Sequence, residues 1–175
     1  TSALSGKITD GEPKQLVEHI DSSLGAAEEI ISTLLDISKL DAGALEPDIT
    51  VFPVNDLLKH LATEFSAIAK DQELELHVVP SSAWVRSDAK LLRRVVQNFL
   101  SNAIRYTASG KILMGCRRMK GFLRIEVWDT GPGMSEEQLA HIFEEFRRFQ
   151  HGRDKKGLGL GLAIVDRISG MLDHP

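Results

Sequence analysis

Apolar residues recur at steps of three and four in the first part of the chain. Between Pro13 and about Ala42 this spacing predicts one long helix. Its main stripe is Leu16, Ile20, Leu24, Ala27, Ile31 and Leu34, and its second half adds Ile30, Leu35, Ile37 and Leu40. Apolar surface on more than one face predicts several helical neighbours, as in a bundle. Gly43 can end the helix, and Pro47 and Pro53 bracket an extended connection, so we expect a domain boundary at residue 47.

After Pro53, segments with the three- and four-residue spacing of helices alternate with segments that have the two-residue alternation of strands. Val54–Lys70 predicts an amphipathic helix, with inner residues Leu57, Leu58, Leu61, Phe65 and Ile68. Alternation over Leu74–Val78 predicts a half-buried strand. Ser87 and Asp88 can cap a further helix that ends near Tyr106, with apolar residues Leu91, Leu92, Val95, Val96, Phe99 and Ile104.

A hairpin and two more helices complete the pattern. Lys111–Met119 and Phe122–Asp129 predict two strands joined by the tight turn Lys120-Gly121. Ser135 and Gln138 match a capping box, which predicts a helix through Leu139, Ile142 and Phe143. The basic, glycine-containing segment Gln150–Gly157 precedes a last helix, Leu160–Met171. Helices that alternate with antiparallel strands favour an α+β layer fold over a parallel βαβ array.

Composition narrows the class of protein. The 175 residues are 42% hydrophobic and 26% charged, which is typical of a soluble globular protein, and no apolar run approaches the ~20 residues that span a bilayer. A net charge of −4 argues against a nucleic-acid partner, because phosphate backbones require basic surfaces. The single cysteine, Cys116, lies among apolar residues, so we expect a buried structural thiol and a reducing, cytoplasmic setting.

Polar residues on one face of the predicted central helix suggest an ion and phosphate site. Asn98, Asn102 and Arg105 follow one another at helical spacing. An amide oxygen is a hard ligand suited to Mg²⁺, and a guanidinium can neutralise phosphate charge. Two asparagines are also compatible with a solvated polar face, although asparagine is a mediocre helix former.

Two glycine-rich segments suggest close approach to a ligand. Asp129 ends a strand before Gly131 and Gly133, and a strand-end carboxylate can accept from an exocyclic amine such as that of adenine. Alone, that segment could equally be a turn. Gly157, Gly159 and Gly161 alternate with leucine at a helix start, which exposes backbone N–H groups to an anion. The preceding lysines and arginine could reach phosphates or simply be solvated: Arg153, Lys155 and Lys156.

The order of these motifs resembles the N, G1, F and G2 boxes of the histidine-kinase catalytic domain. The boxes correspond to Asn98/Asn102, Asp129–Gly133, Phe143–Phe149 and Gly157–Gly161, and the resemblance covers roughly residues 48–172. The string Asn98–Thr107 is its most specific part. Residues 34–43 resemble the end of the second helix of the family's dimerisation and phosphotransfer domain. We therefore expect residues 1–47 to be a remnant of that helical hairpin and residues 48–175 to be the ATP-binding domain.

The resemblance implies a Bergerat ATP-binding fold, a mixed sheet covered by helices on one face. It implies ATP and Mg²⁺ as cofactors, with Asn102 as the metal ligand and Asn98 beside it. The resemblance further implies that Arg105 contacts phosphate, that Tyr106 packs beside the nucleotide and that Asp129 recognises adenine. Gly131 and Gly133 would shape the pocket floor, and Gly157, Gly159 and Gly161 would flank the lid and admit the phosphates. From its position directly before these glycines, Lys156 is also expected to contact the phosphates. The aromatic residues Phe143, Phe146 and Phe149 would mainly pack.

The implied reaction transfers the γ-phosphoryl group of ATP to a histidine, with Asn98 and Arg105 as catalytic groups. Implied partners are a phosphoacceptor histidine of the same or a partner subunit, a response-regulator receiver domain, and a second copy bound through the N-terminal helix. His19 lacks the following acidic residue and proline of the family's phosphoacceptor motif. We expect that motif before Thr1 and further strands after Pro175, and hence no self-phosphorylation by these residues alone and weakened nucleotide binding.

Two other functions stay open. Chaperone, topoisomerase and mismatch-repair ATPases share the implied fold, but they usually place a glutamate base where Asn98 stands, and an amide cannot take a proton. The other alternative is a nucleotide-binding or dimerising scaffold without transfer activity, although Asn102, Asp129 and the glycines favour retained binding.

Overall fold

The computed structural model describes residue 17, residues 46–145, residue 147 and residues 159–174. The predicted N-terminal helix lies outside the described residues except for Val17, which is helical. The elements in chain order are β1 (Thr50–Pro53), α1 (Val54–Asp71), β2 (Leu74–Val78), β3 (Trp84–Ser87), α2 (Ala89–Tyr106), β4 (Gly110–Met119), β5 (Phe122–Asp129), α3 (Glu136–Leu139) and α4 (Gly161–Leu172). None of the helices in this part of the chain has the length and apolar content needed to cross a membrane.

The strands form two sheets. A three-stranded sheet has the order β2-β4-β5, and β1 pairs with β3 in a separate two-stranded ribbon. The hairpin β4–β5 is antiparallel and turns at Gly121, whose φ of 89° is a conformation that glycine adopts readily. Strand β2 runs parallel to β4, with Leu76 opposite Ile112.

Helices α1 and α2 cover one face of the three-stranded sheet. The core contains Leu57, Leu58, Leu61, Phe65, Ala69, Leu74, Leu92, Val96, Leu100, Ala103, Ile104, Ile112 and Met114. On the opposite face Trp128 stands across from Leu113 and is 61% exposed. This arrangement of helices on one side of a mixed sheet confirms the predicted α+β layer fold.

Helix α2 is fixed at its start by Asp88. The carboxylate accepts hydrogen bonds from the N–H groups of Lys90 at 2.8 Å and Leu91 at 3.0 Å, as the sequence predicts for an N-cap. It also accepts from the N–H of Asp48 at 2.9 Å, which ties the chain before β1 to the same point. Helix α4 then packs on α2, with Ile164, Ile168 and Leu172 against Leu91 and Val95.

Several elements differ from the prediction. The segment around Pro53 and the residues before Asp88 form β1 and β3, not simple connections. The pairing of β2 with β4 is parallel, whereas the strand pattern alone suggested antiparallel strands; the resulting mixed sheet is the one that the family resemblance implies. Alternation within a strand reports which face is buried and carries no information on the direction of its neighbour.

Two helical predictions are also corrected. Ile68 is 44% exposed, because the buried row of α1 advances by four residues from Phe65 to Ala69 and bypasses it. The capping box of Ser135 and Gln138 is confirmed, but the helix ends at Leu139. Beyond it, backbone bonds span three residues, as from His141 N–H to the Gln138 carbonyl, so Ile142 and Phe143 lie in turns.

Candidate functional site

Helix α2 carries Asn98 and Asn102 one turn apart, and Asn98 lies against the start of α4. The Asn98 Nδ2 group donates a hydrogen bond to the carbonyl of Arg94 at 2.9 Å, one helical turn earlier. That bond fixes the amide plane and leaves Oδ1 as the outward acceptor. Asn102 is half-buried one turn further on, and its amide makes no hydrogen bond with a residue that the structure describes.

The start of α4 lies directly against Asn98. A Cβ built on Gly161 would lie 2.5 Å from Asn98 Oδ1 and 3.5 Å from its Cγ. Because carbon and oxygen atoms do not approach so closely, only glycine fits there without movement. Gly159, two residues earlier, has a φ of 71°, in the left-handed region that favours glycine. The structure therefore brings the N box and the described part of the G2 box together.

The first turn of α4 offers backbone donors. Leu160 occupies the N-cap position, and no side chain there accepts from the first N–H groups of the helix. Leu160 itself is buried, which anchors the entry to the helix. A helix start that no described side chain caps, beside the Asn98 amide, can bind an anion, since exposed N–H groups and the helix dipole both favour negative charge.

The loop after β5 meets the end of α2. Asp129 Oδ1 accepts hydrogen bonds from the N–H of Gly131 at 2.7 Å and from the hydroxyl of Thr107 at 3.4 Å. A Cβ on Gly131 would lie 2.6 Å from that oxygen and 3.2 Å from the carbonyl of Tyr106. Limited space therefore favours glycine at position 131, whereas the φ of 70° favours glycine at position 133. The predicted adenine residue thus stands at the C-terminal end of the helix that carries the asparagines.

Some of the remaining predicted residues are described by the structure, and the others lie outside the described residues. Arg105 is half-buried near the end of α2, and Tyr106 is 37% exposed there. Phe143 lies in a turn and is 46% exposed, which does not fit the packing role that the sequence suggests for it. Lys156 and Gly157, together with Phe146 and Phe149, lie outside the described residues.

Thr107 is the residue at this site to which the sequence analysis gave no role. It is only 3% exposed, its N–H donates to the carbonyl of Ala103 at the C-cap of α2, and its hydroxyl reaches Asp129. The sequence signal for such a role was its position directly after the predicted helix that carries Asn98 and Asn102. The contact with Asp129 joins residues 22 positions apart, so local spacing does not reveal it.

Two titratable groups near the core have shifted pKa values. Burial pushes the pKa of Asp88 upward, but backbone N–H bonds from Leu91, Asp48 and Lys90 outweigh it, and the net pKa is lowered. Burial, and then the charge of Glu126, raise the pKa of Cys116. The Cys116 side chain is half-buried beside the core, which is less burial than the sequence predicts.

Comparisons with known proteins agree with this geometry. A family model described as histidine kinase-, DNA gyrase B- and HSP90-like ATPase matches residues 87–174. Among curated relatives, the sensor histidine kinase RcsC of Escherichia coli K12 is 30% identical over 166 residues, which cover 91% of this chain and 17% of RcsC. The match begins at Ser87, so it includes α2, the Asp129 loop and α4.

Two solved structures share the fold. Full-length ShkA in complex with AMPPNP gives a TM-score of 0.76 at 28% identity, covering 95% of this chain and 35% of ShkA. Histidine kinase ThkA in complex with response regulator protein TrrA gives a TM-score of 0.66 at 26% identity, covering 81% of this chain and 42% of that one. The chain therefore spans less than half the length of each of these relatives.

Proposed function

Because the chain belongs to the histidine kinase-, DNA gyrase B- and HSP90-like ATPase family, we propose that it is the ATP-binding catalytic region of a sensor histidine kinase. The proposed reaction moves the γ-phosphoryl group of ATP to a histidine nitrogen. Such transfers depend mainly on positioning and on neutralising phosphate charge. The similarity to RcsC, a sensor histidine kinase, supports a kinase rather than another type of protein in this family.

The observation that carries the proposal is the separation along α2 of two polar contacts. Asn98 meets the start of α4, and Thr107 meets Asp129 nine residues further along. Nine helical residues rise about 13 Å. An extended nucleoside triphosphate can bridge such a distance, with its base at Asp129 and its phosphates at the start of α4.

The residues present fit a magnesium nucleotide. The Asn102 amide is half-buried without a hydrogen-bond partner among the described residues, and its oxygen is a hard donor of the kind that Mg²⁺ accepts. Within that part of the chain, no group of three or more histidine, cysteine, aspartate and glutamate residues could hold a metal. We propose that Asn102 holds Mg²⁺ together with phosphate oxygens, where the ion would neutralise phosphate charge.

The proposed roles of the other residues follow from their positions. Asn98 directs its Oδ1 to the start of α4 and helps to place the phosphates, and Arg105 supplies positive charge near the end of the same helix. Gly161 allows the backbone of α4 to approach Asn98. Lys156 and Gly157 keep their sequence-based roles in phosphate contact and entry as proposals.

Asn98 favours transfer over hydrolysis. Its Nδ2 group donates to the Arg94 carbonyl, whereas a glutamate at this position could offer only an acceptor to that carbonyl. An amide also cannot accept a proton from an attacking water. These points disfavour the ATPase alternative. The scaffold alternative predicts neither transfer nor hydrolysis of the γ-phosphoryl group.

The proposed setting is two-component signalling in the cytoplasm. A response-regulator receiver domain is the proposed phosphate recipient, consistent with the complex of ThkA with response regulator TrrA. We further propose that residues 1–47 belong to a dimerisation and phosphotransfer domain and residues 48–175 to the catalytic domain, with a second copy as the dimer partner. The phosphoacceptor histidine would belong to the same or the partner subunit.

The test of function adds ATP labelled on the γ-phosphate, with Mg²⁺, to the full-length protein. We expect label on the protein that acid removes and base does not, as for phosphohistidine. The Asn102→Ala variant should lose it, and Gln97→Ala should keep it, because Gln97 contacts Glu64 on α1. Free phosphate without labelled protein would favour an ATPase, and neither product would favour a scaffold.

A further inference from the structure

The buried hydroxyl of Thr107 has one hydrogen-bond partner among the described residues, the carboxylate of Asp129. Thr107 is 3% exposed, and a buried hydroxyl is costly unless it is bonded. We propose that Thr107 is a positioning residue that orients Asp129 to select a nucleotide base bearing an exocyclic amino group. This inference rests on the proposed function, because it concerns the base end of the same site.

The two carboxylate oxygens of Asp129 have different environments. Oδ1 accepts from the N–H of Gly131 at 2.7 Å and from the Thr107 hydroxyl at 3.4 Å. Oδ2 makes no hydrogen bond with a described residue and belongs to an exposed side chain. The two donors therefore hold one oxygen inward and leave the other to accept from a ligand.

The bond from Gly131 alone does not fix the carboxylate plane. A single donor to Oδ1 leaves rotation of the group about its Cβ–Cγ bond, which is a broad torsion. The Thr107 hydroxyl supplies a second donor from the end of α2, and the Thr107 N–H bond to Ala103 holds that residue in place. The 3.4 Å separation can shorten when a ligand orders the site, as hydrogen bonds in ligand-free sites often do.

The free oxygen predicts a preference between purine bases. An ionised carboxylate only accepts hydrogen bonds. Adenine presents an amino group at its six position and can donate to Oδ2, whereas hypoxanthine presents a carbonyl oxygen there and would repel it. A correctly oriented Asp129 should therefore favour adenine nucleotides, and a rotated one should lose part of that preference.

The experiment measures the affinity of the chain for ADP and IDP with Mg²⁺ by titration calorimetry, in the wild type and two Thr107 variants. Thr107→Val keeps the shape and removes the hydroxyl. It should weaken ADP binding about threefold to tenfold, the typical effect of one lost hydrogen bond. IDP binding should not weaken, because a rotated carboxylate repels the hypoxanthine carbonyl less. Thr107→Ser should restore the preference. Thr63→Val is the matched control, since among the described residues the Thr63 hydroxyl bonds the Lys59 carbonyl alone, on the exposed side of α1.

The outcomes separate the inference from the proposed function. If the wild type prefers ADP and Thr107→Val keeps the full preference, the positioning role of Thr107 is wrong. Equal weakening of ADP and IDP would also overturn it, because that result indicates a merely structural residue. If the wild type binds neither nucleotide, the proposed function fails and this inference with it. Thr107→Ala gives the same comparison if circular dichroism shows that the valine variant does not fold.

Discussion

The substitution Gly161→Ala tests the contact that joins the two halves of the site. The new Cβ would lie 2.5 Å from Asn98 Oδ1, and ordinary contact begins at 3.4 Å, so one of the groups must move by about 0.9 Å. Leu160 and Ile164 are both buried, which restricts a shift of α4. The amide of Asn98 is then the group that must rotate, and rotation breaks its 2.9 Å bond to the Arg94 carbonyl.

The magnitude follows from three contributions. Loss of the amide bond costs about 0.5–1.5 kcal/mol, and an off-rotamer side chain costs a similar amount. Alanine in place of glycine stabilises a helix interior by about 0.5–1 kcal/mol, and the lower value applies to Gly161 because it is the first residue of α4. We therefore expect Gly161→Ala to lower the free energy of unfolding by about 1 kcal/mol. In an Asn98→Ala background the clash is absent, so the same change should stabilise by about 0.5 kcal/mol, giving a coupling of about 1.5 kcal/mol.

The assay is urea unfolding of the four proteins of this cycle, followed by far-ultraviolet circular dichroism. Gly170→Ala is the matched control in the same helix, because a Cβ there meets nothing within 4 Å, and it should stabilise by about 0.5–1 kcal/mol. If Gly161→Ala stabilises as much as Gly170→Ala, or has the same effect in both backgrounds, the close approach of α4 to Asn98 is wrong.

Two further predictions concern groups outside the ligand contacts. Asp88→Ala should lower the free energy of unfolding by about 1–2 kcal/mol through loss of the α2 N-cap, as measured by urea unfolding at pH 7. Because the folded-state pKa of Asp88 is lowered, its contribution is present above its unfolded pKa of about 3.9 and is lost as pH falls through the folded value. Asp88→Asn should therefore remove this part of the pH dependence below about pH 5, and an unchanged profile would refute the assignment. Burial and then Glu126 raise the pKa of Cys116, so a thiol reagent at about pH 8 should modify it more slowly in the folded chain than in urea; equal rates would contradict this.

The sequence predicted the long elements well because their patterns are local. The amphipathic period of α1 and α2 and the alternation of β4 and β5 each report a buried face within one element. The Asp88 N-cap and the Ser135 capping box could be predicted for the same reason, because each joins residues no more than three positions apart. Short β1 and β3 were missed because four residues carry little periodicity.

The sequence predicted which residues belong to the candidate site but not which of them contact one another. The spacing of Asn98 and Asn102 implied one helical face, and the glycines implied close approach, but neither pattern identified the atoms approached. Asn98 Oδ1 against Gly161 joins residues 63 positions apart in the chain. The Thr107 bond to Asp129 likewise depends on how β5 ends beside α2, which follows from tertiary packing.

The most direct test of the central claim is titration calorimetry of this chain with AMPPNP and Mg²⁺. We expect one binding event for the wild type and for Gln97→Ala, whose side chain contacts Glu64 away from the site. Asn102→Ala should bind roughly 10- to 100-fold more weakly, because one contact with a charged partner contributes about 1.5–3 kcal/mol. No heat for the wild type, or equal affinity for Asn102→Ala, would contradict a magnesium nucleotide site built on α2.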